Sequence, residues 1–268
     1  MRSLSVVIPA YNEAENVRLV IESVPVTGLA ELGWQTEIIV VDNNSDDGTG
    51  DLARAAGATV IFEPRKGYGN AYRAGFDAAG GEVIASGDAD RTYPFDHLPE
   101  LLARLDASGA DFMTTDRLHA ANRSAMKVTH FLANHLLSFV SRLMFRHSLR
   151  DSQSGMWIFR RYVWDGIDVR SEGMAFSQEI KNASVRAGYH VIEAHIEYRV
   201  RGGEVKLDSM RDGMRNLLHL VGHRFRRDAV PTVPGSAQQV RVPVPRVADA
   251  GAGEGATAVC GPDITGAA

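Results

Sequence analysis

Two aspartates one residue apart, Asp88 and Asp90, follow a short apolar run in the stretch "EVIASGDADRTYPFD". Like charges this close repel each other. Aspartate is a common turn and cap residue, so a plain turn is one reading. The other reading is chemical. Two neighbouring carboxylates are stabilised when a divalent cation lies between them and a ligand, and hard oxygen donors suit Mg²⁺ or Mn²⁺. Such an ion neutralises charge on a departing diphosphate.

Other stretches suit a nucleotide. Asp42, ending the apolar run "TEIIVVD", can accept hydrogen bonds from a base or ribose. "RKGYGNAYRAG" sets Arg65, Lys66, Gly67 and Gly69 ahead of a helical pattern, where backbone amides and cations can approach anionic oxygens. A plain loop-to-helix turn is the alternative there.

The elements that must position these residues alternate. "LSVVIPA", "TEIIVVD", "ATVIFE", "EVIASGD" and "ADFMTTD" read as strands, separated by helix-like segments. The first of these, "YNEAENVRLVIESV", carries Asn12 and Glu15 at capping-box spacing. Short apolar runs between helices predict an α/β fold with a mainly parallel sheet covered on both faces. In such a sheet, ligands sit beyond the carboxyl ends of the strands. Pro9, Tyr11 and Glu13, then Asp42, Asn43 and Asn44, then Asp88 and Asp90 are therefore expected to converge on one edge.

After Arg117 the pattern changes. A long helical segment covers Ser124 to Arg146, followed by "DSQSGMWIFRR", a helix at "FSQEIKNASVRAG" and a strand at "YHVIEAHIEYRV". "DSMRDGMRNLLHLVGHRFRR" is a final basic amphipathic helix. From about Ala229 onward Pro, Gly, Ala and Val dominate without periodicity, which predicts a disordered tail over 229–268 after a folded domain of 1–228.

The apolar fraction of 44% and charged fraction of 23% are those of an ordinary globular protein. A formal net charge of -4 argues against broad nucleic-acid binding, which needs a basic face. The single cysteine, Cys260, allows no disulfide framework and no cysteine-based metal site. The apolar run in "MRSLSVVIPAYNE" is too short for a signal peptide, and no stretch reaches the roughly eighteen apolar residues of a transmembrane helix. A cytoplasmic location is expected.

Six motifs in order carry a family resemblance: "VVIPAYNEAENV", "IIVVDNNSDDGT", "RKGYGNAYRAGF", "GDADRTYP", "DSQSGMWIFRR" and "YRVRGGEVKL…RDG". From about Leu4 to Arg227 the chain resembles family-2 glycosyltransferases, with the dolichol-phosphate mannose synthases and bacterial polyprenyl-phosphate glycosyltransferases as the nearest subgroup. The resemblance implies a GT-A fold, a nucleotide-sugar donor of the GDP-mannose or UDP-glucose type, a divalent metal (Mg²⁺ or Mn²⁺) and inversion at the anomeric carbon. It implies that Pro9, Tyr11, Glu13, Asp42 and Lys66 hold the nucleotide and that Asp88 and Asp90 hold metal and diphosphate. Gln153, Ser154 and Gly155 match an acceptor-side element, and Arg117, Arg201 and Lys206 match cations that face phosphate. The chain also departs from the pattern. Asn43 stands where a second aspartate is often found, Thr92 where mannose synthases commonly have glutamine, Val205 where the signature has serine, and Trp157 where many relatives have arginine.

Two questions stay open at this level. A phosphate-monoester acceptor is already ionised and needs only cations to hold it in line, whereas a sugar hydroxyl needs a base. Glu179 in "FSQEIK" is either that base or a structural charge. The Ser124–Arg146 and terminal helices, with Lys127, Arg142, Arg146, Arg211, Arg215, Arg224, Arg226 and Arg227 beside apolar residues, are core helices or interfacial ones. Together these readings give a metal-dependent inverting hexosyltransferase acting on a polyprenyl phosphate, peripheral on the inner face of the membrane. The alternatives are the same fold acting on a small soluble hydroxyl acceptor, or a nucleotide-sugar-binding protein without turnover. Oligomeric state is not legible.

Overall fold

The computed structural model describes residues 1–119, 122, 128–202 and 209–226. Lys206, Val205 and the 229–268 segment lie outside the described residues. Seven strands form one sheet: β1 (Arg2–Ala10), β2 (Trp34–Asp42), β3 (Thr59–Phe62), β4 (Val83–Ser86), β5 (Phe112–Asp116), β6 (Trp157–Arg160) and β7 (Val191–His195), in the order β3-β2-β1-β4-β6-β5-β7. The pairs β1–β2, β1–β4, β2–β3 and β5–β7 are parallel, while β6 runs antiparallel between β4 and β5.

Helices cover both faces, as the continuous burial of β1 requires. Along a strand, successive side chains point to opposite faces. Leu4, Val6 and Ile8 accordingly join one core with Val17 and with Leu98 and Leu101 of the helix α5 (Leu98–Ser108). Val7, Ile39 and Val41 join the other, with Tyr72 and Phe76 of α4 (Tyr68–Ala78) and Phe176 and Ile180 of α8 (Phe176–Arg186). The remaining helices are α1 (Val17–Glu22), α2 (Val26–Glu31), α3 (Thr49–Ala55), α6 (Val128–Phe145), α7 (Arg161–Asp165) and α9 (Ser209–Phe225).

Register places the site. Ala10 pairs with Asp42 and Val7 with Ser86, so β1, β2 and β4 all end at one edge of the sheet. One local expectation is corrected and two short elements are added. The Asn12/Glu15 capping box does not form: Asn12 has φ 53° and lies outside the helix, which starts at Val17 after Asn16. α2 and β6 were not foreseen, because a six-residue helix and a four-residue strand carry too little periodicity to be read. Gly87 is required for space, since a Cβ there would lie 2.7 Å from the Phe95 ring.

Candidate active site

At the end of β4, the Asp88 carboxylate accepts a hydrogen bond from the Tyr72 hydroxyl at 3.0 Å. Burial and the neighbouring Asp90 push the Asp88 carboxyl up to about 7, against the opposing pull of Tyr72, Arg117 and Arg201. Asp90 is buried; its Oδ1 accepts from the Thr92 hydroxyl at 2.6 Å and the Thr92 amide at 3.1 Å. Thr92, where the resemblance expects glutamine, thus fixes the Asp90 rotamer. Asp90 Oδ2 faces Arg201 Nη1 at 3.1 Å.

The pair borders a cavity of about 620 Å³. Pro9 lines it from β1, Tyr11 and Glu13 from the loop that follows, Lys66 from the approach to α4 and Tyr68 from its first turn. Lys66 Nζ lies 2.8 Å from the Tyr11 hydroxyl and 4.4 Å from the centre of its ring. Glu13 Oε2 accepts from Asn16, and Oε1 lies 3.5 Å from Arg201. Asp42 does not line the cavity, and its Oδ1 accepts the Ser45 amide at 3.0 Å. Asn43 does line it. Its amide donates to the carbonyls of Glu63 (3.1 Å) and Arg65 (2.8 Å) while its Oδ1 accepts the Gly67 N–H (2.8 Å). That pattern needs a donor and an acceptor on one side chain, which explains asparagine rather than aspartate.

The backbone N–H groups of Gly67, Gly69 and Asn70 are engaged within the chain, which agrees with the plain loop-to-helix turn rather than with the anion-binding alternative. Gly67 N–H is taken by Asn43, and those of Gly69 and Asn70 point at the Glu172 carbonyl, at 2.8 and 3.3 Å. The segment carrying Ser171, Gly173, Met174 and Ala175 is thereby laid against α4 as a wall of the cavity.

The acceptor-side residues divide into two groups. Arg201 lines the cavity. Arg117 does not: its half-buried side chain forms a bidentate pair with the buried Asp151, at 2.7 and 3.1 Å. Burial pushes the Asp151 carboxyl up, but the charge and hydrogen bonds of Arg117, helped by Lys181, hold it below the ordinary carboxylate value. Gln153, Ser154 and Gly155 form the scaffold behind the aspartates. Gly155 donates its N–H to the Tyr93 hydroxyl at 2.6 Å, and its carbonyl lies 3.2 Å from the Tyr72 hydroxyl. Ser154 Oγ lies 2.6 Å from Thr115 Oγ1. Gln153 bridges Gln178 of α8 and Asn216 of α9. Trp157 is buried in β6 against Tyr72, ring centres 4.9 Å apart, so no cation stands at that position.

Glu179 is fully buried on α8 and does not line the cavity. Its oxygens accept the backbone N–H groups of Arg170 (3.2 Å) and Ser171 (2.7 Å) and pair with Arg226 at 2.7 Å. His219 Nε2 lies 3.6 Å away. This is the setting of a structural carboxylate that ties the Ser171 segment to α9, rather than of a base facing a substrate.

Sequence reading missed one wall of the cavity. Arg215, Asn216 and His219 of α9 line it, as do Tyr68 and Met174. The signal was present: Arg215, Asn216 and His219 share one side of an amphipathic helix, a spacing that marks a face.

The model for glycosyl transferase family 2 matches residues 5–167. The chain belongs to that family. A low-salt glycan biosynthesis hexosyltransferase of Haloferax volcanii is 35% identical over 217 residues, which is 80% of this chain and 52% of that protein. The chain thus spans about half the length of this relative. A dolichyl-phosphate hexose transferase of the same organism is 30% identical, covering 78% of this chain and 89% of its own. Among solved structures, glucosyl-3-phosphoglycerate synthase of Mycobacterium tuberculosis in complex with Mn²⁺, UDP and phosphoglyceric acid superimposes with a TM-score of 0.64 at 21% identity, covering 85% of this chain and 80% of that one. That likeness carries the GT-A fold. The family model and these relatives make the chain a family-2 glycosyltransferase.

The donor set fits a divalent cation bound together with its substrate. Among the described residues no cluster of three or more His, Cys, Asp or Glu side chains could cage a metal alone. Asp88 and Asp90 supply hard oxygen ligands beside an open cavity, and Mg²⁺ is usually held by one or two carboxylates plus substrate phosphates.

Proposed function

We propose that this glycosyltransferase moves a hexose from a nucleotide sugar to a polyprenyl phosphate, with inversion, using Mg²⁺ or Mn²⁺ held by Asp88 and Asp90. The charge inventory of the cavity supports the acceptor most. Its acidic lining is Glu13, Asp88 and Asp90, and its basic lining is Lys66, Arg201 and Arg215. Glu13 is engaged by Asn16 and Arg201. A phosphate acceptor arrives ionised, so it requires cations and no base.

In this reading Pro9, Tyr11 and Asn43 flank the nucleoside, and Lys66, held over Tyr11, meets the diphosphate. The metal would supply charge neutralisation for the departing diphosphate. Arg201 and Arg215 hold the acceptor phosphate in line with the anomeric carbon, where positioning alone lowers the barrier. Lys206 adds a third cation by resemblance. Asp42 holds the β2 turn, Arg117 and the Gln153–Gly155 segment hold the cavity floor, and Glu179 holds its wall. The dolichyl-phosphate specificity in the name of one relative supports the same acceptor class. Transfer to a soluble hydroxyl acceptor is less well supported, because Glu179 does not line the cavity and its oxygens are taken by Arg170, Ser171 and Arg226.

Calorimetric titration of UDP and GDP, each with and without Mn²⁺, tests the donor half. One nucleotide is expected to bind in a metal-dependent way, and Asp90→Ala is expected to lose that dependence. Binding of equal strength without metal, unchanged in Asp90→Ala, would overturn the assignment of the carboxylate pair.

A further inference from the structure

Tyr72 of α4 is fully buried, yet its hydroxyl reaches the aspartate pair. It lies 3.0 Å from Asp88 Oδ1 and 3.2 Å from the Gly155 carbonyl oxygen. A phenol carries one proton, and a carboxylate is the stronger acceptor of the two. Asp88 Oδ1 therefore takes it. Asp88 Oδ2 accepts no hydrogen bond from the described residues.

The Tyr72 ring is boxed in. Its centre lies 4.8 Å from that of Tyr68, 4.9 Å from Trp157, 5.4 Å from Phe76 and 5.8 Å from Phe176. The helix behind it has no slack either, since a Cβ on Gly75 would collide with Val7 and Val41 of the sheet. Trp157 stands where the resemblance expects arginine, and here it is one wall of the box. A Cβ on Gly155 would press on the Tyr68 hydroxyl and lie 3.4 Å from Asp88 Oδ1, so glycine keeps that space clear.

Asp90 repeats the arrangement. Its Oδ1 takes the Thr92 hydroxyl at 2.6 Å and the Thr92 amide at 3.1 Å, and its Oδ2 faces Arg201 Nη1 at 3.1 Å. In each aspartate, then, a hydroxyl of the chain ties down Oδ1 and leaves Oδ2 as the oxygen for a ligand. A carboxylate held this way acts through one oxygen. Mg²⁺ demands octahedral geometry and is usually met by one or two carboxylates plus phosphates and water, and Mn²⁺ shares the octahedral oxygen site. Ca²⁺ takes six to eight oxygens, often both from one carboxylate.

We propose that Tyr72 is a positioning residue that holds Asp88 as a one-oxygen ligand and, with Thr92 on Asp90, makes the site select Mg²⁺ or Mn²⁺ over Ca²⁺. This inference rests on the assignment of Asp88 and Asp90 to a metal made above.

The test is calorimetric titration of UDP and of GDP into the full chain with Mg²⁺, Mn²⁺ or Ca²⁺, for the parent, Tyr72→Phe and Thr92→Val. The parent is expected to bind one nucleotide at least about tenfold tighter with Mg²⁺ or Mn²⁺ than with Ca²⁺, and each variant to narrow that ratio about threefold or more. Comparing ratios between proteins cancels the difference in how free nucleotide holds each ion. It also separates positioning from packing, because a merely structural loss weakens binding with every ion alike. Such an equal loss, or an unchanged ratio, overturns the inference while the carboxylate pair keeps its metal. A parent that binds nucleotide equally well without any ion defeats the pair's assignment and this inference with it. Tyr72→Phe keeps its ring in the box, so its melting temperature without metal is expected to stay near the parent's. Should it not fold, Thr92→Val alone decides, with an unchanged ratio again overturning the inference.

Discussion

Arg201 Nη1 lies 3.1 Å from Asp90 Oδ2, which joins the turn after β4 to a segment that follows β7. The same guanidinium reaches Glu13 at 3.5 Å. A cation held here balances the carboxylates before substrate arrives and stands beside the place where a diphosphate and an acceptor phosphate would meet. Hydrogen bonds to charged groups contribute about 1.5–3 kcal/mol, so Arg201→Ala is expected to lower kcat/KM by roughly ten- to a hundredfold. The acceptor KM should rise more than the affinity for the free nucleotide falls. Steady-state kinetics with calorimetry reads both, and equal loss on donor and acceptor would count against an acceptor role.

The Asn43 amide donates to two carbonyls, those of Glu63 and Arg65. Asn43→Asp would turn a carboxylate oxygen toward both. Leaving such buried groups unsatisfied costs about 1–3 kcal/mol. Denaturant unfolding should show that loss, with nucleotide affinity reduced because Lys66 sits at the end of the same loop. A variant as stable as the parent would show that this tether is not needed.

Gly69 lies where α4 meets the cavity wall. A Cβ there would fall 2.0 Å from the Ser171 carbonyl oxygen, an impossible distance against backbone. Gly69→Ala must therefore push the Ser171 segment away, and overpacking of this kind costs about 1–3 kcal/mol. Because Ser171 lines the cavity, turnover is expected to fall further than stability alone explains. Comparison of kcat with the melting temperature checks this, and full activity would mean that the wall adapts freely.

The Arg117–Asp151 pair gives the fold an acid-sensitive point. The folded-state pKa of Asp151 lies below the ordinary carboxylate value, so its contribution to stability is present above about pH 4 and is lost as pH falls through the folded value. Asp151→Asn leaves Arg117 without its partner charge, at a cost of about 3–5 kcal/mol at neutral pH. Urea midpoints measured from pH 7 to pH 3 should show a steeper decline in the parent than in the variant. Parallel curves would remove Asp151 as the titrating group.

Much of this architecture was legible because it rests on local rules. Apolar runs separated by helices gave the parallel sheet, and the strand-end rule brought Pro9, Tyr11, Glu13, Asp88 and Asp90 to one cavity. Long-range partners decided what was not legible. Asp42 and Arg117 also stand at strand ends, yet Ser45 and Asp151 occupy them. In sequence Glu179 reads as either a base or a structural charge, and only its partners Arg170, Ser171 and Arg226 favour the second. Sequence could not choose between an anion site and a plain turn at α4, because the Glu172 carbonyl that takes the Gly69 and Asn70 amides is a hundred or so positions away. The spacing of Arg215, Asn216 and His219 marks a shared helix face, but only tertiary packing brings that face to the cavity.

The most direct test of the account follows radiolabel from a panel of UDP- and GDP-sugars, with Mn²⁺ or Mg²⁺ and undecaprenyl phosphate, into an organic extract. The account predicts organic-phase label from one donor, dependent on the divalent ion and abolished in Asp90→Ala. Label that stays in water while free nucleotide accumulates would contradict the polyprenyl-phosphate acceptor.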